Sequence, residues 1–320
     1  MIFTNLYAQA LIQPCDEGAN HLKIISGYAT SAMAFHHLED LRIKGFNPKI
    51  SLLVGMCPSD GLSVSNHRGF QNILSSDVYK NHFSCSYIYK APSVHSKLYV
   101  WLKDTKLHKI FIGSANYTQN AFFHQREVLA EVNNANFIQY FEEIEKDSIF
   151  CNGNESEDLI RVYNDKIYYR RYAREDKDID SIPDSSGVEN VTVSLLSSNG
   201  EVQRVGGLNW GQRDGREPNQ AYIQLPPAVY NSDFFPKAPQ HFTIVTDDSK
   251  TFICRRAQKD EQGHAIETPH NNSLLGLYFR YRMGLPNGSP IWKADLEHYG
   301  RTDVTFYKFD DENYYMDFHH

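Results

Sequence analysis

A histidine and a lysine two positions apart, His95 and Lys97, open the apolar run KLYVWL (97–102). The tetrapeptide GSAN (113–116) closes the next such run, HKIFIGS (108–114). Side chains at i and i+2 of a strand share a face. An imidazole and an ammonium set side by side in this way suit attack on a phosphorus atom, the first supplying the nucleophile and the second holding the anionic oxygens. In GSAN, Gly113 lets the backbone approach closely, Ser114 offers a hydroxyl and Asn116 an amide donor to the same phosphate. Glu127 is the candidate to bond the ring nitrogen of His95 not used in attack, fixing its tautomer and orientation, with Glu131 as the alternative.

Residue type alone does not select such a site, because a His-x-Lys pair is common. His21 and Lys23 form one at another strand start, but no Gly-Ser-x-Asn follows them, and they are assigned to structure. What must position His95 and GSAN is an α/β domain. Runs of strand length (22–28, 49–55, 83–89, 97–102 and 108–114) interleave with amphipathic segments at 31–45 and 66–80. A segment at 136–150 carries Phe137, Tyr140, Phe141, Ile144 and Ile149 at helical spacing. The stretch REDKDIDSIPDSSGVEN (174–190) is charged and then rich in Asp, Ser, Pro and Gly, which predicts a linker over 176–190 between domains at 1–175 and 191–320.

Beyond the linker, VTVSLLS (191–197), AYIQLPP (221–227), HFTIVT (241–246), TFICRRA (251–257), SLLGLYFRYR (273–282) and VTFYKF (304–309) read as strands separated by turns. They predict a mostly-β barrel or sandwich. Within it, VQRVGGLNWGQRDGREPNQAYIQLPP (202–227) crowds Arg204, Asn209, Trp210, Gln212, Arg213, Arg216, Asn219 and Gln220 into an irregular segment. These are residue types that read base edges and hold phosphates. Composition limits the alternatives. A chain of 320 residues has room for two cores. The opening MIFTNLYAQALIQPCDEGAN has neither the basic start of a signal peptide nor the length of a membrane anchor, so a cytoplasmic protein is expected. Five cysteines without a CxxC pair argue against disulfides or structural zinc. A net charge of -7 counts against a polyanion partner only on average, since local patches decide. One such patch is Arg161, Lys166, Arg170, Arg171 and Arg174; another is Arg204, Arg213 and Arg216.

The run from 94 to 131 resembles the motif of the phospholipase D superfamily, a His-x-Lys followed by Gly-Ser-x-Asn and then Glu. That resemblance implies a phosphohistidine mechanism without metal or other cofactor. It also implies a second histidine to protonate the leaving oxygen, so one motif copy points to a homodimer through the nuclease domain with one shared site. With the C-terminal half included, the chain resembles the NgoFVII family of restriction endonucleases, in which a phospholipase D-like nuclease domain precedes a DNA-reading pseudobarrel related to the B-three domain. The implied activity is sequence-specific cleavage of double-stranded DNA, with a cognate methyltransferase and, in some relatives, an ATP-dependent helicase-like subunit. The resemblance maps two groove-clasping arms onto Asn209–Gln220 and the region 271–287, where Arg280 and Arg282 are expected to alternate on a strand face. A DNA-binding regulator that uses the first half only to dimerise is the rival from another class. A phospholipase is less well supported, because no lipid-facing amphipathic segment is recognisable.

Overall fold

A computed structural model describes residues 1–164, 188–257 and 263–320. The chain divides into two compact units, Met1–Asp165 and Lys166–His320. The expected boundary at 175, most of the linker, and Lys166, Arg170, Arg171 and Arg174 of the first basic patch lie outside the described residues.

The first unit is built on β1 (His21–Ser26), β2 (Lys49–Val54), β3 (Leu62–Ser63), β4 (Phe83–Ile88), β5 (Lys97–Lys103), β6 (Lys106–Gly113), β7 (Leu129–Val132), β8 (Ser148–Phe150) and β9 (Val162–Tyr163). Seven of these make one sheet in the order β7-β6-β5-β1-β2-β4-β8, while β3 pairs with β9. β1, β2 and β4 run parallel, and β5 lies antiparallel to β1 with Ser26 opposite Lys97. Near-continuous apolar runs such as Ile24-Ile25 and Leu52-Leu53-Val54 mark strands covered on both faces. The covering helices include α1 (Ser31–Ile43), α2 (Val64–Ser75) and α3 (Asn136–Glu145). α1 and α2 start where the sequence supplies caps: the Thr30 and Ser63 hydroxyls accept from the N–H groups of Met33 and Asn66, each at 3.3 Å. α3 drops Phe141 into a core with Ile25, Leu53, Val100 and Ile110.

The second unit carries β10 (Asn190–Ser194), β11 (Ile223–Gln224), β12 (His241–Thr246), β13 (Thr251–Ala257), β14 (Ala265–Glu267), β15 (Asp303–Lys308) and β16 (Asn313–Asp317). They form one seven-stranded sheet, ordered β10-β15-β16-β12-β13-β14-β11, nearly closed in the manner of a barrel. Every pairing is antiparallel except β12 with β16. Its core gathers Phe234, Phe235, Phe242, Phe306 and Tyr314.

The segment SLLGLYFRYR is not a strand. It forms helix α4 (Ser273–Arg282), and a further helix, α5 (Lys293–Tyr299), follows it. α4 buries Leu275, Tyr278 and Phe279, spaced i, i+3, i+4, and leaves Leu274 and Tyr281 outside. The segment holds no β-branched residue, and only the helical period keeps its large apolar side chains together on the core side.

Candidate active site

The reactive side chains gather at the sheet edge where β1 and β6 end and β5 begins. Lys97, the first residue of β5, is 9% exposed although it carries an ammonium. Its Nζ donates to the His95 backbone carbonyl at 2.8 Å and lies 3.0 Å and 3.2 Å from the two His95 ring nitrogens. Burial pulls the Lys97 pKa below the usual lysine range, and the nearby Glu127 carboxylate only partly offsets this. His95 itself is exposed at the rim.

GSAN occupies the end of β6. A Cβ on Gly113 would stand 2.0 Å from the Val128 carbonyl oxygen, so the glycine is required by the approach of the chain returning into β7. The Ser114 N–H continues that ladder, donating to the Val128 carbonyl at 3.0 Å. The ladder brings residue 127 beside Ser114, and the Ser114 hydroxyl donates to the Glu127 carboxylate. Within one chain, then, Glu127 is bonded to Ser114 and not to His95, the partner expected for it. The alternative, Glu131, sits on β7 opposite Phe111 and is exposed there. Asn116 is held through its oxygen: Oδ1 accepts from the Tyr28 N–H at 3.2 Å. That fixes the amide and leaves its NH2 group to donate elsewhere.

Sequence reasoning missed the segment that supports all of this, Ser26-Gly27-Tyr28 at the end of β1. The Ser26 hydroxyl donates to the Tyr28 carbonyl at 2.5 Å and accepts from the Tyr117 N–H at 2.8 Å, tying β1 to the turn after GSAN. Tyr117 is held in turn by buried His37, whose Nδ1 lies 2.8 Å from the phenol oxygen while Nε2 lies 3.0 Å from the Leu11 carbonyl. Burial depresses the His37 pKa to about 4. The imidazole is thus neutral, with Nε2–H donating to Leu11 and Nδ1 accepting from Tyr117. The signal for these residues lay in the adjacency of β1 and β5, which spacing along the chain does not disclose.

In the second unit the proposed DNA-reading residues fall into two sets. Asn209 is buried, and its amide bridges the Gln203 carbonyl at 3.1 Å and both backbone groups of Ile291, at 2.7 Å and 2.8 Å. Asn219 is buried and holds the Gly288 N–H at 2.7 Å. Gln212 donates to the carbonyls of Pro218 and Gly288, both at 3.0 Å. Arg280 is fully buried and donates to the carbonyls of Ser289 at 2.8 Å and Gly276 at 3.1 Å. Arg282 turns inward too, forking onto the Asp247 carboxylate at 2.7 Å and 2.8 Å. The placement of Arg280 and Arg282 on a strand face is therefore corrected: both project from α4 into the fold. The Arg282 pair also removes that residue from the DNA-facing set.

The outward set is Arg204, Arg213 and Arg216, with Trp210 and Gln220 beneath. The Arg216 guanidinium lies 3.9 Å from the centre of the Trp210 ring and donates to Gln220 at 2.9 Å, which stiffens an exposed cation. Arg213 donates to the Val205 carbonyl at 2.7 Å. Arg204 and Arg213 line one cleft of about 510 Å3 together with Trp292, a half-exposed aromatic that the sequence reading passed over. Arg161, the described member of the other basic patch, donates to the Asp60 carbonyl at 2.8 Å.

A His-x-Lys pair beside a Gly-Ser-x-Asn turn on a mixed sheet, followed by a barrel-like unit, defines a phospholipase D-like phosphodiesterase carrying a DNA-binding domain. The chain belongs to the NgoFVII restriction endonuclease family. The model of that family's N-terminal PLD domain matches residues 4–158, and the model of its C-terminal B3-like DNA-binding domain matches residues 184–310. The comparison with curated proteins gave no match. Among solved structures the chain is similar to NucT from Helicobacter pylori, at 14% identity and a TM-score of 0.32, covering 47% of this chain and 96% of that one. It is similar to Nuc, a phospholipase D family member from Salmonella typhimurium, at 13% identity and a TM-score of 0.32, covering 45% and 88%. It is also similar to polyphosphate kinase from Porphyromonas gingivalis, at 13% identity and a TM-score of 0.31, covering 54% and 26%.

Proposed function

We propose that this protein cuts double-stranded DNA at specific sequences, without a divalent metal, through a covalent intermediate on His95. The observation that carries the reading is the contact of the Lys97 ammonium with the His95 ring and main chain, at a sheet edge that also presents Asn116. One ring nitrogen of His95 attacks the phosphorus, forming a P–N bond as the P–O bond to one DNA hydroxyl breaks. The Lys97 ammonium and the Asn116 amide take up the charge on the non-bridging oxygens, the part a metal ion would otherwise play. The departing oxygen receives its proton from a second imidazole. Water, giving up a proton to that second imidazole, then attacks the phosphorus as the P–N bond breaks, leaving a phosphate monoester and restoring both histidines.

Because the chain carries one copy of the motif, the second imidazole is assigned to the same histidine of a second copy of the chain, related by a two-fold axis through a shared site. Ser114 and Glu127 complete the site as a bonded pair beside Lys97. Arg204, Arg213 and Arg216 are the groups proposed to meet DNA, as exposed cations in the B3-like unit. The activity is placed in the cytoplasm. A cognate methyltransferase and an ATP-dependent helicase-like subunit are the partners this reading implies. Among the described residues no helix is long and apolar enough to cross a membrane.

The test is digestion of long DNA of diverse sequence in excess EDTA, with ends mapped, by the protein and by His95→Ala. The expected result is a set of discrete fragments that the variant does not produce although it still shifts the DNA in a gel. Equal cutting by the variant would overturn the reading. Binding without cutting by either protein would favour the rival, a DNA-binding regulator.

A further inference from the structure

We propose that Tyr28, tethered by Asp60, is a positioning residue for the His95 imidazole, holding the ring by an edge-to-face contact. The inference rests on the nuclease reading above. It begins from what surrounds the His95 ring within one chain, where Glu127 is bonded to Ser114.

Three contacts surround the ring. On one side is the Lys97 ammonium, within 3.2 Å of both nitrogens. On the other is Gly27, where an added Cβ would stand 2.9 Å from His95 Cδ2, so the ring rests against bare backbone. The third is the Tyr28 ring, whose centre lies 5.9 Å from that of His95 with the two planes at 79°, the edge-to-face arrangement that aromatic pairs favour.

Tyr28 is held more firmly than a surface tyrosine needs to be. Its side chain is 43% exposed, yet its phenol donates to the Asp60 carboxylate, its N–H to Asn116 and its carbonyl accepts from Ser26. Asp60 is anchored in turn, its N–H donating to the Met56 carbonyl at 3.0 Å and its own carbonyl accepting from Arg161. One residue therefore registers both the nucleophile, through its ring, and the phosphate ligand Asn116, through its main chain. An imidazole that reacts twice, first as nucleophile and then as leaving group, needs one orientation throughout, and an exposed histidine has no core to supply it.

The experiment compares the full-length protein with Tyr28→Phe and Tyr28→Ala by two readouts. The first is turnover of bis(p-nitrophenyl) phosphate, with His95→Ala as the blank. The second is the chemical shift of the His95 ring protons and carbons, assigned by their loss in His95→Ala. Tyr28 is half-exposed, and melting temperature reports whether each variant remains folded. The expected result is a fall in kcat of about 10- to 100-fold in Tyr28→Ala with little change in KM. Tyr28→Phe, which keeps the ring and loses the tether to Asp60, should give a rate between those of the parent and Tyr28→Ala. The His95 ring shifts should move in Tyr28→Ala and move less in Tyr28→Phe. Unchanged turnover with unmoved ring shifts in folded Tyr28→Ala would overturn the proposal. If the parent protein turns over no diester, the nuclease reading falls, and the ring shifts alone decide whether Tyr28 positions His95.

Discussion

Lys97 holds its ammonium against an imidazole and a backbone carbonyl, with no carboxylate among its hydrogen-bond partners. Its pKa is depressed in the folded state, so between the folded value and the ordinary lysine value the unfolded chain binds more protons, and stability rises with pH across that window. Below the window the desolvated charge costs stability; above it the charge proposed to hold the phosphate is gone. Lys97→Met is therefore expected to abolish cleavage while raising the melting temperature at neutral pH by about 2–4 °C, the shift that about 1 kcal/mol gives in a unit of this size. Calorimetry at pH 7 checks the sign, and a lower melting temperature would contradict it. His95, Lys97, Ser114 and Asn116 were legible as a candidate set because they lie close in number and on neighbouring strands. The contact of Glu127 with Ser114 was not legible, because it follows from the return of the chain into β7. Nor was Tyr28, which reaches the site only through the pairing of β1 with β5.

Among the elements, α4 decides how the DNA-binding unit is held. Arg280 gathers carbonyls of the 202–220 segment and of the loop at 289 onto the helix, and Arg282 closes an ion pair with Asp247. Burial tends to raise the Asp247 carboxyl, but the donors from Arg282 and the Phe318 N–H outweigh it and hold the pKa below the usual range. Asp247→Ala leaves a guanidinium only 12% exposed at its side chain with the more distant Asp248 carboxylate, at 3.6 Å, as its counter-charge and is expected to cost about 3 kcal/mol of stability by chemical denaturation. A cost near that of a surface substitution would mean that Arg282 can turn outward after all. Strands were legible wherever alternation or a continuous apolar run met a turn, as at 241–246 and 251–257. α4 was not, because Tyr, Phe and Leu serve both periods and only packing chooses between them. Its two inward arginines were read as a DNA face for the same reason. The exposed Arg213 keeps that role in the proposal, and Arg213→Ala is expected to weaken specific binding by about 1–3 kcal/mol in a competition gel shift while leaving weak nonspecific binding in place.

For the whole molecule, the proposed mechanism makes oligomeric state part of the chemistry, because the chain carries a single motif copy. If two chains share one site, a purified heterodimer of the parent and His95→Ala should lose about 100-fold or more of its cleavage rate, since nucleophile and general acid cannot both be present. Two independent sites would instead keep about half. Two units separated in the chain, each with its own core, let one supply hydrolysis and the other recognition. On the proposed mechanism His95 becomes covalently bound to the DNA. This is tested by rapid quenching of the protein with labelled DNA in EDTA, followed by peptide mapping of any protein–DNA adduct. The expected result is an acid-labile, base-stable phosphoramidate on the peptide containing His95, absent in His95→Ala. Cleavage with no adduct, or an adduct on another residue, would contradict it.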